Sequence, residues 1–252
     1  MKKNVLLFSF LCSSVFIHAQ NEQPATQQRP AQRWDPRSTE WHYPVPPKVT
    51  PGTNAPSDAI ILFNGTDLSL WETSKGEPAP WTVRNGELLV KPGTGTIQTK
   101  DYFGDCQLHI EFRSPQPENH NGQDRGNSGI FLQGRYEIQV LDGDNNPTYV
   151  NGMVGSVYKQ QAPLADAYTR NGEWQVYDIY WRGPRFGTND ELESPAIVTV
   201  VLNGIVVQNN YVLKGNTPYI GLPKYTAHGR LPISLQDHGT EVAFRNIWIR
   251  NL

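Results

Sequence analysis

The sequence predicts an all-β domain, an antiparallel sandwich or jelly roll, and three observations carry that prediction. Beyond Asp58 the chain is a succession of short apolar or alternating runs: "AIILF", "WTV", "ELLV", "CQLHIEF", "SGIFLQ", "YEIQVL", "WQVYDIYW", "AIVTVVLNGIVVQ", "LPISLQ" and "VAFRNIWIRNL". These are strand lengths, not helix lengths. Turn signals such as "NG", "RNG" and "KPGTG" punctuate them. No stretch after residue 58 sustains an amphipathic helical period over three turns.

Taken in order, the chain opens with Lys2 and Lys3 ahead of a mostly apolar stretch from Val5 to Ile17, with Ala19 as a small residue before a cleavage point. That is the pattern of a secretory signal peptide over residues 1–19, and its apolar stretch is too short for a comfortable membrane span. Leu11 ahead of Cys12 is too bulky for a lipoprotein signal. The mature protein is therefore expected to be exported, periplasmic or extracellular, and not membrane-spanning. After cleavage Cys106 stands alone, so no intrachain disulfide can form and stability rests on packing. Residues 20–57 form a Pro- and Gln-rich leader with little room for a helix or an inner strand. Its Trp34, Trp41 and Tyr43 either pin it to the domain or belong to a disordered linker.

The domain proper is residues 58–252. With 37% hydrophobic residues, 7 Trp and 11 Tyr, the chain has ample material for a large core. A formal net charge of −2, without long Lys/Arg runs, excludes a nucleic-acid or anionic-membrane partner recognised by charge. "VVLNGIVV" is a hairpin signal, since Asn203-Gly204 suits a type I′ turn between β-branched runs. In "CQLHIEFR", His109, Glu111 and Arg113 share one strand face, with Leu108, Ile110 and Phe112 on the other. In "YEIQVLD" the same parity turns Glu137 and Gln139 one way and Ile138 and Val140 the other.

Several catalytic classes are empty. There is no G-x-S-x-G elbow, no phosphate-binding Gly-rich loop, no H-E-x-x-H and no Cys pair for zinc. "DGDNN" invites a calcium-loop reading but lacks the Gly and terminal Glu spacing of an EF-hand, so a divalent metal stays possible without an assigned ligand. Cys106, inside a strand, reads as a small buried hydrophobe.

The ordered series "ILFNGTDLSLWE", "GELLVKPGTGTIQTKDYFGDCQLHIEFR", "NSGIFLQGRYEIQVLD", "GSVYKQQAPLADAYTRNGEWQVYDI", "VLNGIVV" and "LPISLQDHGTEVAFRNIWIRNL" resembles the 3-keto-disaccharide hydrolase family, over roughly Asp58 to Leu252. The resemblance implies a concanavalin A-like jelly-roll sandwich of two antiparallel sheets. It also implies cleavage of glycosides already oxidised to a ketone at C3, supplied by a partner oxidoreductase. Such a substrate needs a base near C2, donors to the enolate oxygen at C3 and an acid near the glycosidic oxygen.

Within that frame Glu137 is the first candidate base or acid, on a strand that the architecture bends into a concave floor. Its alternative is a solvated strand residue. Gln139 stands where a glucanase of this fold carries a second carboxylate; it cannot be a nucleophile but can hydrogen-bond a hydroxyl or ketone. Glu111 and Arg113 either line the site across the sheet or form a surface ion pair, and Glu111 is the one acidic partner open to an ordinary two-carboxylate glycosidase. Asp142 is either a ligand or a turn-former. His238 is assigned as second proton-transfer group or enolate stabiliser, with Gln236 on the same parity. Tyr158 and Lys159 are oxyanion-donor candidates, Trp174 a sugar-stacking face or core, and Asn127 and Ser128 turn residues within reach of a ligand. A non-catalytic carbohydrate-binding module remains the alternative function.

Overall fold

The period of two that marks Cys106–Arg113 is kept in the folded chain: Cys106, Leu108, Ile110 and Phe112 are buried, while Gln107, His109, Glu111 and Arg113 are half-buried. A strand with one such face must lay it on a second apolar layer, and two stacked sheets supply it. The structure, a computed structural model, describes residues 46–52, 54–116 and 120–252. Lys48–Leu252 form one compact unit. The expected signal segment 1–19 and the leader's Trp34, Trp41 and Tyr43 lie outside the described residues.

The strands in chain order are β1 (Ile60–Phe63), β2 (Trp71–Thr73), β3 (Thr82–Arg84), β4 (Glu87–Leu89), β5 (Ile97–Thr99), β6 (Cys106–Arg113), β7 (Ser128–Leu132) and β8 (Tyr136–Val140). They continue with β9 (Gln175–Arg182), β10 (Arg185–Phe186), β11 (Leu192–Ser194), β12 (Ile197–Leu202), β13 (Ile205–Val212), β14 (Ser234–Leu235) and β15 (Ala243–Asn251). The larger sheet runs β13-β12-β9-β6-β15-β4-β3, with β1 also on β15; the smaller runs β2-β5-β14-β7-β8, and β10-β11 form a separate ribbon. Neighbours are antiparallel, and no α-helix occurs among the described residues. This is the all-β jelly-roll sandwich that the strand pattern predicts.

Local chemistry sets the breaks. Asn203 and Gly204 both take positive φ, 51° and 81°, between β12 and β13, and Asn85 and Gly86 do the same, at 54° and 80°, between β3 and β4. Two positive φ values in a two-residue loop give the twist a tight hairpin needs. Within β15, Asn246 (φ 47°) interrupts the register between Arg245 and Trp248. The strand therefore pairs with β4 at its start and with β1 near its end.

The core lies between the sheets. Phe112 stacks on Tyr177 with ring centroids 5.1 Å apart, and Tyr136 of β8 meets Trp181 of β9 at 5.1 Å. Cys106 is fully buried there, and burial raises its thiol pKa to about 12, so it behaves as an inert hydrophobe. Tyr177, also fully buried, reaches across from the larger sheet and donates its hydroxyl to the Gln139 carbonyl, at 2.7 Å. This ties β8 to the sheet beneath it.

Candidate active site

β8 is buried on both of its faces. Tyr136, Ile138 and Val140 enter the core, as parity requires, and Glu137 and Gln139 stand on the outer face of the smaller sheet. A carboxylate is seldom buried without a partner, yet Glu137 is only 5% exposed. The cover comes from loops. The Gly155–Tyr158 segment runs along the free edge of β8, with Gln139 N–H donating to Ser156 O (3.0 Å) and Tyr158 N–H to Glu137 O (3.1 Å). Thr217 Oγ1, from a loop after β13, accepts the Glu137 N–H at 3.0 Å. A cavity of about 240 Å³ remains above the strand.

Its floor is Glu137 and Gln139 of β8 with Phe131 of β7, which pairs directly with Glu137. Gly129, paired with Gln139, leaves the space that the Glu137 side chain fills: a Cβ there would stand 2.5 Å from Glu137 Oε1. One wall is Gln123 and Asn127, from the short turn before β7; Asn127 Nδ2 donates to Gln123 O at 2.7 Å. The opposite boundary is Tyr158, Thr217 and Tyr219. Gln236 and His238 follow β14 and close the remaining side. That loop is held firmly: Ser128 Oγ donates to Gln236 O (2.7 Å), Gln236 N–H to Gly129 O (3.0 Å), and the Asp237 carboxylate accepts from the Gly95 and Gly239 N–H groups, each at 2.9 Å.

The polar inventory of this cavity is unbalanced. No described group donates a hydrogen bond to the Glu137 carboxyl, and burial without compensation lifts its pKa to about 8. Gln139 Nε2 is spent on Gln123 Oε1 (3.0 Å) and Gly152 O (3.1 Å), leaving Gln139 Oε1 buried and unpartnered. Gln236 Oε1 is in the same condition. Glu137 thus brings to the cavity a carboxyl without a described protein partner, and a ligand carrying O–H groups can pair with it. Tyr158 is pushed up by burial and by its hydrogen bond with Tyr149 (OH to OH, 2.8 Å), so it remains a neutral phenol able to donate.

Of the residues singled out in the sequence, Glu137, Gln139, Asn127, Tyr158, Gln236 and His238 line this cavity. The others do not. Glu111 and Arg113 are on β6, in the larger sheet, and their side chains face outward there, on the far side of the core from Glu137. The expectation that they lie across one concave sheet from Glu137 is thus corrected, since the parity was right but the strand belongs to the other layer. Glu111 accepts from Arg245 Nε (2.6 Å) and Asn246 Nδ2 (2.9 Å), and Arg113 binds both oxygens of Glu87 (2.9 and 2.7 Å). Trp174 is on this same remote face, where the guanidinium groups of Arg113 and Arg245 lie 4.7 and 4.1 Å from its ring centroid. It stacks on cations, not on a ligand in the Glu137 cavity. His109 joins the group through Asp178 (Nδ1 to Oδ1, 2.7 Å).

Asp142 is a structural pin. It is fully buried, holds Arg125 Nε at 2.7 Å, accepts from Asn171 Nδ2 and takes the Asp144 N–H at 2.9 Å. The guanidinium supplies the positive charge that the calcium-loop reading of "DGDNN" would ask of an ion. Among the described residues no cluster of three His, Cys, Asp or Glu side chains has the makings of a metal site. Lys159 is exposed at the mouth, its ammonium 4.7 Å from the Tyr149 ring centroid and 5.3 Å from that of Tyr219. The sequence reading missed Gln123, Phe131, Thr217 and Tyr219. Parity in "SGIFLQ" places Phe131 opposite Ile130 and Leu132 and so on the outer face, but the remaining three sit on turns and loops, where periodicity carries no information.

Comparison with known proteins agrees with this architecture. The profile of a family described as 3-keto-alpha-glucoside-1,2-lyase-like domain matches residues 58–250. A solved structure from Parabacteroides distasonis ATCC 8503, described as a candidate glycosyl hydrolase, is 50% identical, with a TM-score of 0.83, over 86% of this chain and 97% of its own. Two further candidate glycosyl hydrolases of that organism share the fold at 19% and 22% identity. Their TM-scores are 0.59 and 0.53, each over 77% of this chain and over 94% and 99% of theirs. A search of curated proteins finds no match. A match of this extent, together with a half-identical relative covered almost from end to end, means that the chain belongs to the family of 3-keto-α-glucoside-1,2-lyase-like domains.

Proposed function

We propose that this protein is an exported enzyme that cleaves glycosides whose sugar carries a ketone at C3, by elimination followed by hydration. A hydrolase-like role on glycosidic bonds is supported by the family and by the half-identical candidate glycosyl hydrolase. The single observation that carries the finer reading is Glu137: a buried carboxyl with no described hydrogen-bond donor, its pKa raised to about 8, on the floor of a sugar-sized cavity. Such a group is a stronger base than an ordinary carboxylate and is poised near neutral pH.

The ketone acidifies the hydrogen on C2. Ionised Glu137 takes that proton, the C–H electron pair moves into the C2–C3 bond, and the C3 oxygen becomes an enolate. Tyr158, Gln236 Nε2 and His238 are the donors placed around the cavity to receive that charge. Collapse of the enolate restores the ketone, forms a C1–C2 double bond and expels the group at C1, whose oxygen takes a proton from His238. Water then adds across C1–C2: His238, having given up its proton, takes one from the water as its oxygen bonds to C1, and Glu137 returns its proton to C2, so both groups regain their starting states. The net change is hydrolysis with the C3 ketone retained, so the substrate must come from an enzyme that oxidises glycosides at C3.

An ordinary glycosidase is disfavoured because it needs two carboxyls about 5–9.5 Å apart. Among the described residues lining the cavity, Glu137 is the sole carboxylate, and Glu111 belongs to the other sheet. The test is aglycone release from a 3-keto-glucoside by wild type and by Glu137→Gln, with a C2-deuterated substrate in parallel. Release by wild type, lost in the variant and slowed by deuterium, is expected. Binding without release means a carbohydrate-binding module, and release from the unoxidised glucoside means a different mechanism.

A further inference from the structure

The cavity over Glu137 measures about 240 Å³. That is below the roughly 300–1,000 Å³ of sites that enclose drug-sized ligands, so one sugar ring fills it and the group carried at C1 lies at the mouth. The mouth differs in kind from the floor. Tyr219, which lines the cavity, is 70% exposed, and the chain beyond it continues as Ile220 and Leu222, 83% and 88% exposed. On the other side of Tyr158, Tyr149 and Val150 are 37% and 67% exposed. Exposed aromatic surface beside a polar cavity is surface that a ligand can cover.

The ridge is also held in place. Lys159 adopts a left-handed backbone (φ 61°) that a branched or long side chain seldom takes, with its N–H donating to Asn151 O at 2.8 Å. From there its ammonium lies 4.7 Å from the Tyr149 ring centroid and 5.3 Å from that of Tyr219, a cation shared between two aromatic faces. Tyr149 is fixed further by the 2.8 Å bond between its hydroxyl and that of Tyr158. One side of Tyr219 is thereby given to the cation and the other is left open beside the cavity.

Resting on the proposed function, we infer that the Tyr149–Lys159–Tyr219 ridge is an aglycone subsite and that it favours an aromatic or similarly flat aglycone. A phenyl ring buries apolar area there and stacks on the open face of Tyr219.

The test is the kcat/KM of wild type and Tyr219→Ala on three substrates: 3-keto phenyl glucoside, 3-keto methyl glucoside and a 3-keto disaccharide. Comparing the two proteins cancels the intrinsic reactivity of each leaving group. The variant should lose about tenfold more on the phenyl substrate than on the methyl one, mainly through KM, in the range of a single stacking contact. Equal losses on both, or a larger loss on the disaccharide, overturn the inference. If wild type releases nothing from any 3-keto-glucoside, the proposed reaction fails separately, and calorimetric binding of phenyl and methyl glucosides decides the subsite. A phenyl-to-methyl affinity ratio that falls about tenfold in Tyr219→Ala supports it, and an unchanged ratio overturns it.

Discussion

Gly129 and Glu137 lie diagonally across the β7–β8 pair, and the hydrogen in place of a side chain on Gly129 is what lets the Glu137 carboxyl lie down over the sheet: a Cβ would stand 2.5 Å from Oε1. Phe131, directly opposite Glu137, would meet the same Cβ at 2.9 Å. The Glu137 carboxyl is positioned by an absence of atoms on the neighbouring strand.

Gly129→Ala therefore moves Glu137. Gly129 is not among the positive-φ residues, so alanine suits its backbone and the fold survives. Crowding costs about 1–3 kcal/mol in a melting experiment. A displacement of the order of 1 Å at a reacting group costs about 10²-fold, and a loss of that size in kcat on a 3-keto-glucoside is expected. A variant with wild-type kcat would remove Gly129 from the positioning of the base.

The pKa of Glu137, about 8 in the fold against 4.5 in a free side chain, fixes two opposite pH trends. Activity that needs the ionised form rises with pH and levels off above about 8. Stability moves the other way. Below pH 4.5 both folded and unfolded chains keep the proton, so this group costs nothing. Between 4.5 and 8 the unfolded chain releases the proton and the folded one holds it, so stability falls, by roughly 5 kcal/mol in the limit, and then levels off. Glu137→Gln should be inactive, and the difference between its melting temperature and that of wild type should shift in favour of the variant as pH is raised from 5 to 9.

Asp142 and Arg125 form a buried pair at 2.7 Å, with side chains 0% and 12% exposed. Asp142→Ala leaves a buried guanidinium without its counter-charge, at a cost of about 3–5 kcal/mol. Denaturant unfolding measures this. If instead stability is kept and substrate affinity is lost, Asp142 is a ligand-binding group after all.

Glu111→Gln removes the charge of a carboxylate held by Arg245 and Asn246 on the outer face of the larger sheet. It should weaken the fold by about 1–3 kcal/mol and leave kcat and KM as in wild type. A fall in kcat comparable to that of Glu137→Gln would reinstate Glu111 as a partner in the chemistry.

Most of the fold was legible residue by residue. The alternation of "CQLHIEFR" became β6 with the predicted faces, Asn203-Gly204 became the hairpin turn, and Glu137 and Gln139 share a face as parity demands. Parity is a local property of an extended backbone, so the chain carries it without reference to its neighbours. It says which residues share a face of one strand. It does not say which sheet the strand joins, and for that reason Glu111 and Glu137 looked like neighbours.

What the sequence by itself determined, then, is the longer strands, the Asn-Gly turns and which side chains share a face, because these follow from dihedral preference and apolar periodicity; the short β2, β5, β10 and β11 carry too few residues to show a period. What only the tertiary structure decided is that β6 and β8 occupy different layers, that Thr217 and Tyr219 come to the mouth from a distant loop, and that Glu137 is largely buried beneath loops. Those depend on long-range pairing and on loops without a period. Burial, which raises the Glu137 pKa to about 8, belongs to the packed assembly and to no segment of it.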